Sequence, residues 1–404
     1  MSLESALDIR RTKCAHSGAS ALRVAILCDF LEEEWPSMNL VADMLSRNLR
    51  EHCSSETTVT KIRPKFRRRF GSFPLLPAKL ANNADRWQNR FTVYPAWLRG
   101  ERDNYDVFHI VDHSYSQLVH SLPAGRAVVT CHDLDTFRCL LTPEHDARPF
   151  WFRAMTRRIL SGFQQAAHVI AVSAATRDEL FRQNLFPPDR ISVISNGVHP
   201  AYSHVPEAQA DQAAAKILPP GDGPLLLSVG STIARKRLDV LFRIFKEVHR
   251  ERPDVKLIRV GGLAAEHERL ARELGIRDAI SIIPFLETDI LAAVYRRSAL
   301  LLHTSEAEGF GLPIVEAMAS GCPVVANDIP VLREVGGTAA AFCPIEEIRA
   351  WKDKILRLLG ERAEEPEKWE LHRQRGFANA ARFSWAENAK QTLRVYQKLA
   401  ENRA

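Results

Sequence analysis

The chain has no apolar run approaching the roughly 20 residues that span a bilayer. Its first twenty residues, MSLESALDIRRTKCAHSGAS, lack the apolar core of a signal peptide. The expected setting is therefore the cytoplasm, with at most peripheral contact at the inner membrane. No C-x-x-C pair occurs. The seven cysteines (Cys14, Cys28, Cys53, Cys131, Cys139, Cys322 and Cys343) are scattered and odd in number. That pattern excludes a disulfide framework and a thiolate zinc site, and it suits a reducing compartment. No helix-turn-helix, zinc-finger or RNP pattern is present, so nucleic acid is not an expected partner. Net charge is only +6. It is concentrated in KIRPKFRRRF, residues 61–70, which hold six basic residues and no acid. Such a patch suits an anionic lipid surface or an anionic acceptor; the plainer reading is a solvated loop.

What is present reads as an α/β protein. At 404 residues the chain has room for two or three domains of roughly 150 residues. Residues 1–21 are expected to be a disordered lead-in. Short β-branched runs at 22–28, 57–62, 106–111, 128–131, 169–172 and 191–194 alternate with helical segments at 38–51, 148–167 and 174–184. Residues 63–99 are hard to place. A mostly parallel sheet follows from the alternation. Residues 203–222 lose it, end in Pro-Pro-Gly-Asp and read as a linker. A second alternation runs from 223 to 383, with strands at 225–229, 256–260, 280–283, 299–303, 322–326 and 339–342. Residues 386–401 form a last helix. The economical architecture is two Rossmann-like domains, 22–202 and 223–383, facing a cleft. Ligands of such sheets bind outside the carboxyl ends of the strands.

The stretch Glu308-Gly309-Phe310-Gly311-Leu312-Pro313-Ile314-Val315-Glu316 reads as a strand end, a glycine loop and a helix start. A helix N-terminus behind a glycine loop presents free N–H groups and a positive dipole end to a phosphate. Glu308 falls in the loop and Glu316 in the first helical turn, where carboxylates can take hydroxyls flanking that phosphate. The bland alternative is an acidic first turn complementing the dipole. After LLLSVG, Gly230 ends a strand and Arg235-Lys236 precede a helix, a second phosphate-binding arrangement in the same domain. In the other domain His132 stands at a strand's carboxyl end, where a histidine can bond a sugar hydroxyl or a developing charge. Asp133 suits a turn cap. His109 reads as a sheet residue, and His113 as an acceptor-side contact.

Together these residues resemble a known family. Glu308 and Glu316 around GFGLP are similar to the E-x7-E signature of glycosyltransferase family 4, the retaining GT-B enzymes. VTCHD, VIAVSAATRDEL, ISVISNGV, LLSVGSTIARKRLDVL and FSWAENAKQTLRVYQKL resemble its other landmarks, so the likeness covers nearly the whole chain from residue 22. It implies transfer of a hexose from a UDP- or GDP-sugar to a glycan or lipid-linked glycan, with no cofactor and no metal. It also implies that the closing helix (384–404) packs back onto the first domain. On this resemblance Arg235 and Lys236 hold the diphosphate, helped by the amides around Gly309, Phe310, Gly311 and Leu312. Gly230 and Ser231 line the donor, Glu308 binds hexose hydroxyls, Glu316 binds the ribose, and His132 contacts the sugar near its anomeric centre. Ser173 and Asn196 look structural or cleft-lining.

Three departures stand out. The first loop, DFLEEEWPSM, has no glycine where many members have several, and Trp35 there offers an acceptor-side stacking surface. Ser231 stands where many members carry arginine. Pro284-Phe285-Leu286 replaces a glycine at the base-binding segment. The rival readings are a nucleotide-sugar epimerase or phosphorylase on the same fold, and a non-catalytic nucleotide-sugar-binding partner protein.

Overall fold

The computed structural model describes residues 21–72, 77–144 and 146–402. Of the expected lead-in, residues 1–21, residues 1–20 lie outside the described residues. Two sheets, each of six parallel strands, organise the chain. The first contains β1 (Leu22–Leu27), β2 (Thr57–Ile62), β3 (Val107–Ile110), β4 (Ala127–Cys131), β5 (His168–Ala171) and β6 (Ile191–Val193), in the order β2-β1-β3-β4-β5-β6. The second contains β7 (Leu225–Val229), β8 (Lys256–Val260), β9 (Ile280–Ile283), β10 (Leu300–His303), β11 (Val324–Asn327) and β12 (Ala341–Cys343), in the order β12-β11-β10-β7-β8-β9. The order reverses between β1 and β3 in one sheet and between β7 and β10 in the other. Those reversals are where doubly wound sheets open a crevice for ligands.

The strands form where short β-branched runs can be covered on both faces. Val24 and Ile26 pack on one side of the first sheet, Ala25 and Leu27 on the other. Helix Leu238–Glu251 buries Leu241, Phe242, Phe245 and Val248 against the second sheet. The last helix, Trp385–Glu401, leaves the second half and returns to the first. Its Ala389, Leu393 and Tyr396 join the core beside Val24 and Val128. The Tyr396 hydroxyl meets His109 Nδ1 at 2.6 Å, and His109 Nε2 meets Thr130 at 2.7 Å. His109 is thus the sheet residue it was expected to be.

Residues 203–222 are not devoid of structure: helix Ala208–Ile217 occupies their middle. The Glu207 carboxylate caps it by accepting from the Gln209 and Ala210 amides. Ala210 and Ala214 bury against the second half, and Asp211 pairs with Arg296 at 3.0 Å. Its core face is alanine, so it lacks the large apolar residues that make periodicity visible. A helix over Pro366–Ala380 was likewise unanticipated. Among the described residues, no helix is long and apolar enough to cross a membrane.

Candidate active site

At the reversal of the second sheet, the loops after β7 and β10 meet. β10 ends in His303, and the loop runs to Gly311, whose φ of 99° starts helix Leu312–Ala319. Only glycine takes that conformation without strain. The helix begins one residue before the expected Pro313, so Glu316 lies in its second turn, not its first. Glu308, whose side chain is 9% exposed, accepts from Lys236 Nζ and lies 2.9 Å from His303 Nε2. Burial raises the proton affinity of the Glu308 carboxyl. The Lys236 charge and the His303 bond outweigh that and hold it well below the usual carboxylate range. Arg235 follows the β7 loop and donates to the Ala307 carbonyl at 3.3 Å.

Two parts of this arrangement were not anticipated. His303 orients Glu308. Arg259, a buried arginine on β8, donates to the carbonyls of Gly230 (2.6 Å) and Ser231 (2.8 Å) and so shapes the β7 turn. Burial lowers its pKa to about 10. The signal for each was a lone polar residue ending or interrupting an apolar strand, LLLH and KLIRV.

The other expected donor contacts divide. Gly309 and Gly311 sit in the loop, but the Phe310 ring turns into the core, edge-on to Phe383 at 5.4 Å, leaving only its backbone for a ligand. Glu316 is buried and accepts from the Tyr295 hydroxyl at 3.1 Å. Burial pushes its pKa up to about 7, against the pull of the Tyr295 and Tyr202 hydroxyls.

The first half faces this site through the loop after β4. A Cβ on Gly309 would fall 1.6 Å from the His132 carbonyl oxygen, so glycine alone permits this approach. The Gly309 carbonyl accepts from Ser173 Oγ at 2.8 Å. Ser173 also caps helix Ala174–Arg182 through the Thr176 amide, so its structural expectation is met. Asp133 accepts from the Asp135 amide as a turn cap, and it also reaches Arg235 across the cleft at 3.3 Å. His132 Nε2 lies 2.8 Å from the Val111 carbonyl. A carbonyl only accepts, so Nε2 bears the hydrogen and Nδ1 is the free acceptor. Burial, partly opposed by Asp112, lowers the His132 pKa and keeps the ring neutral.

His113 is displaced from its expected acceptor-side position. It is 3% exposed and lies beneath His132, between the carboxylates of Asp112 (3.6 Å) and Asp133 (3.7 Å). The helical turn His113–Ser121 carries its ring inward against Phe137. Trp35 is 52% exposed at the start of helix Pro36–His52. Among the described residues, no group of three or more His, Cys, Asp or Glu is arranged to hold a metal.

Two reversed six-stranded parallel sheets, glycine loops at the carboxyl ends of the second and a returning last helix define the GT-B fold. A sucrose-phosphate synthase from Thermosynechococcus elongatus shares the fold at a TM-score of 0.70, with 19% identity, over 94% of this chain and 99% of that one. HepE of Anabaena, solved with UDP-glucose, also gives 0.70, with 17% identity, over 93% and 100%. Residues 39–202 match the model described as glycosyltransferase family 4, and residues 209–374 the one described as glycosyl transferases group 1. The chain belongs to this glycosyltransferase family. O-antigen chain mannosyltransferase B of Escherichia coli is 29% identical over 281 residues, 68% of this chain and 71% of that protein. A D-inositol 3-phosphate glycosyltransferase of Nocardia farcinica is 30% identical over 281 residues, but the match spans only 60% of its length.

Proposed function

We propose that the chain transfers a hexose from a nucleoside diphosphate sugar, UDP- or GDP-linked, to a glycan or lipid-linked glycan, retaining the anomeric configuration and using no metal. One observation carries this reading: Arg235, Lys236 and an ionised Glu308 converge at the β7–β10 reversal, facing His132 across the cleft. The two cations would neutralise the leaving diphosphate, the role a divalent ion fills elsewhere. Glu308 would accept from hexose hydroxyls, and Glu316 would serve the ribose. The His132 Nδ1 acceptor suits a hydroxyl near the anomeric carbon. Departing phosphate oxygen would take the acceptor's proton on the same face. The mannosyltransferase relative supports a glycan acceptor, and the UDP-glucose complex of a fold relative supports a nucleotide-sugar donor. Lys65 and Arg67–Arg69 remain exposed within 61–70 and suit contact with an anionic membrane, read out by vesicle co-sedimentation.

A thermal-shift screen of UDP- and GDP-sugars tests the donor, since a ligand of the folded state raises Tm. The matching donor is then assayed for transfer, with NMR of the product's anomeric linkage. Transfer should persist in EDTA and fall about 100-fold in Glu308→Gln. An inverted product, EDTA sensitivity or near-normal turnover of the variant each removes the corresponding part of the proposal.

A further inference from the structure

The start of helix Ala174–Arg182 carries amides that no turn precedes to satisfy. Ser173 Oγ takes one of them, the Thr176 amide, at 3.1 Å. The Ala174 and Ala175 amides turn to the second half instead. Both donate to the Glu334 carboxylate, at 2.8 and 3.1 Å, one to each of its oxygens. A carboxylate that meets two N–H groups at the positive end of a helix gains both charge-assisted bonds and the dipole. Parting the halves gives these three groups back to water, so the contact favours the closed chain.

Glu334 is itself tied to the glycine loop. It lies on helix Pro330–Gly336, whose Val331, Leu332 and Val335 share one core with Ile314 and Met318 of helix Leu312–Ala319. A Cβ on Gly311 would lie 3.0 Å from the Leu332 side chain, so this helix rests directly on the loop. Asn327, just before it, donates to the Ser305 carbonyl in the loop after β10 at 3.0 Å. Arg333 is engaged within the second half, pairing with Asp328 and lying 5.0 Å over the Phe342 ring. On the other side, Ser173 donates to the Gly309 carbonyl at 2.8 Å and the Thr176 hydroxyl to the His132 carbonyl at 3.4 Å. Glu334 therefore grips the helix start that touches both the Glu308 loop and the His132 loop.

We propose that Glu334 is a positioning residue for transfer: its grip on helix Ala174–Arg182 sets how closely His132 approaches Glu308. The groups assigned to the donor diphosphate and hexose, Arg235, Lys236 and Glu308, all belong to the second half. Loss of the grip therefore falls on kcat and spares nucleotide binding. The catalytic consequence rests on the transferase reading above; the clasp between the halves does not.

The test uses the full chain with Glu334→Ala, Glu334→Gln and Ala174→Pro. Proline suits the first helical position and lacks the N–H that Glu334 receives, so it breaks the clasp from the opposite half without harming the helix. Small-angle X-ray scattering reads the separation of the halves. Tm shifts with UDP and GDP read nucleotide binding, and kcat is measured with the donor found by the screen above. Glu334→Ala and Ala174→Pro should each enlarge the radius of gyration and lower kcat at least about tenfold, with the nucleotide Tm shift kept. Glu334→Gln, which retains an oxygen acceptor, should fall between them and the wild type. The proposal is overturned if Glu334→Ala keeps the wild-type radius or kcat, or if it loses the nucleotide shift along with kcat. It also falls if Ala174→Pro changes neither, and that variant decides alone should Glu334→Ala not fold. A wild type with no nucleotide shift and no transfer would count against the transferase reading, and the scattering comparison would still decide the clasp.

Discussion

Glu316 is a buried carboxyl whose nearest company is phenolic: it accepts from Tyr295, with Tyr202 beside it. Its pKa near 7 against an ordinary 4.5 makes folding stability pH-dependent in a definite direction. The folded chain binds this proton more tightly than the unfolded one. The group's unfavourable contribution is therefore absent below about pH 4.5, grows as pH rises, and is complete above about 7. Glu316→Gln should match the wild type near pH 4 and exceed it near pH 8, by an amount on the order of 2–3 kcal/mol. Melting curves across that range check it; a constant difference between the two proteins would refute the assignment. Glu308 sits eight residues earlier and goes the opposite way, because Lys236 and His303 supply the charge and bond that Glu316 lacks. The E-x7-E spacing was legible in the sequence. The different protonation of its two ends was not, because His303, Lys236, Tyr295 and Tyr202 come from separate segments.

The glycine loop between Glu308 and helix Leu312–Ala319 joins the two halves. Gly309 touches the His132 carbonyl so closely that a methyl group would need the loops to part. Gly309→Ala should thus leave each sheet intact, with unchanged far-UV circular dichroism, yet lower kcat about 100-fold by displacing Glu308 relative to His132. Near-normal kcat would show that this approach is not used in turnover. Several elements followed directly from pattern: β2, β7, β8 and β9 occupy the residues their β-branched runs indicated, and β10 begins one residue later than expected. Helix Ala208–Ile217 escaped because alanines form its buried face. Arg259 escaped because a strand residue's target depends on the strand beside it, and β8 lies next to β7 only in the folded sheet.

Across the whole molecule, charge is distributed more tightly than the basic stretch suggested. Lys61 pairs with Asp43, and Arg63 is engaged with Asp29 and Asn39, so two of the six cations of 61–70 serve the fold. Lys65, Arg67, Arg68 and Arg69 stay on the surface. Co-sedimentation with anionic vesicles should appear at low salt and vanish at roughly 0.5 M, where screening is short-ranged. It should also weaken when Arg67, Arg68 and Arg69 are changed to Gln. Binding that ignores salt, or no binding at all, would discard the membrane contact. At this scale the amino-acid order by itself determined two alternating α/β halves, the glycine loops and the residue types at strand ends, because hydrophobic period and turn chemistry are local. The tertiary structure alone decided which strand ends meet. It set Glu308 on Lys236, placed Arg235 against Asp133 across the cleft, turned His113 inward and set Asp29 beside Asp112. Those outcomes depend on sheet order and on the approach of the two halves, and no local spacing encodes either.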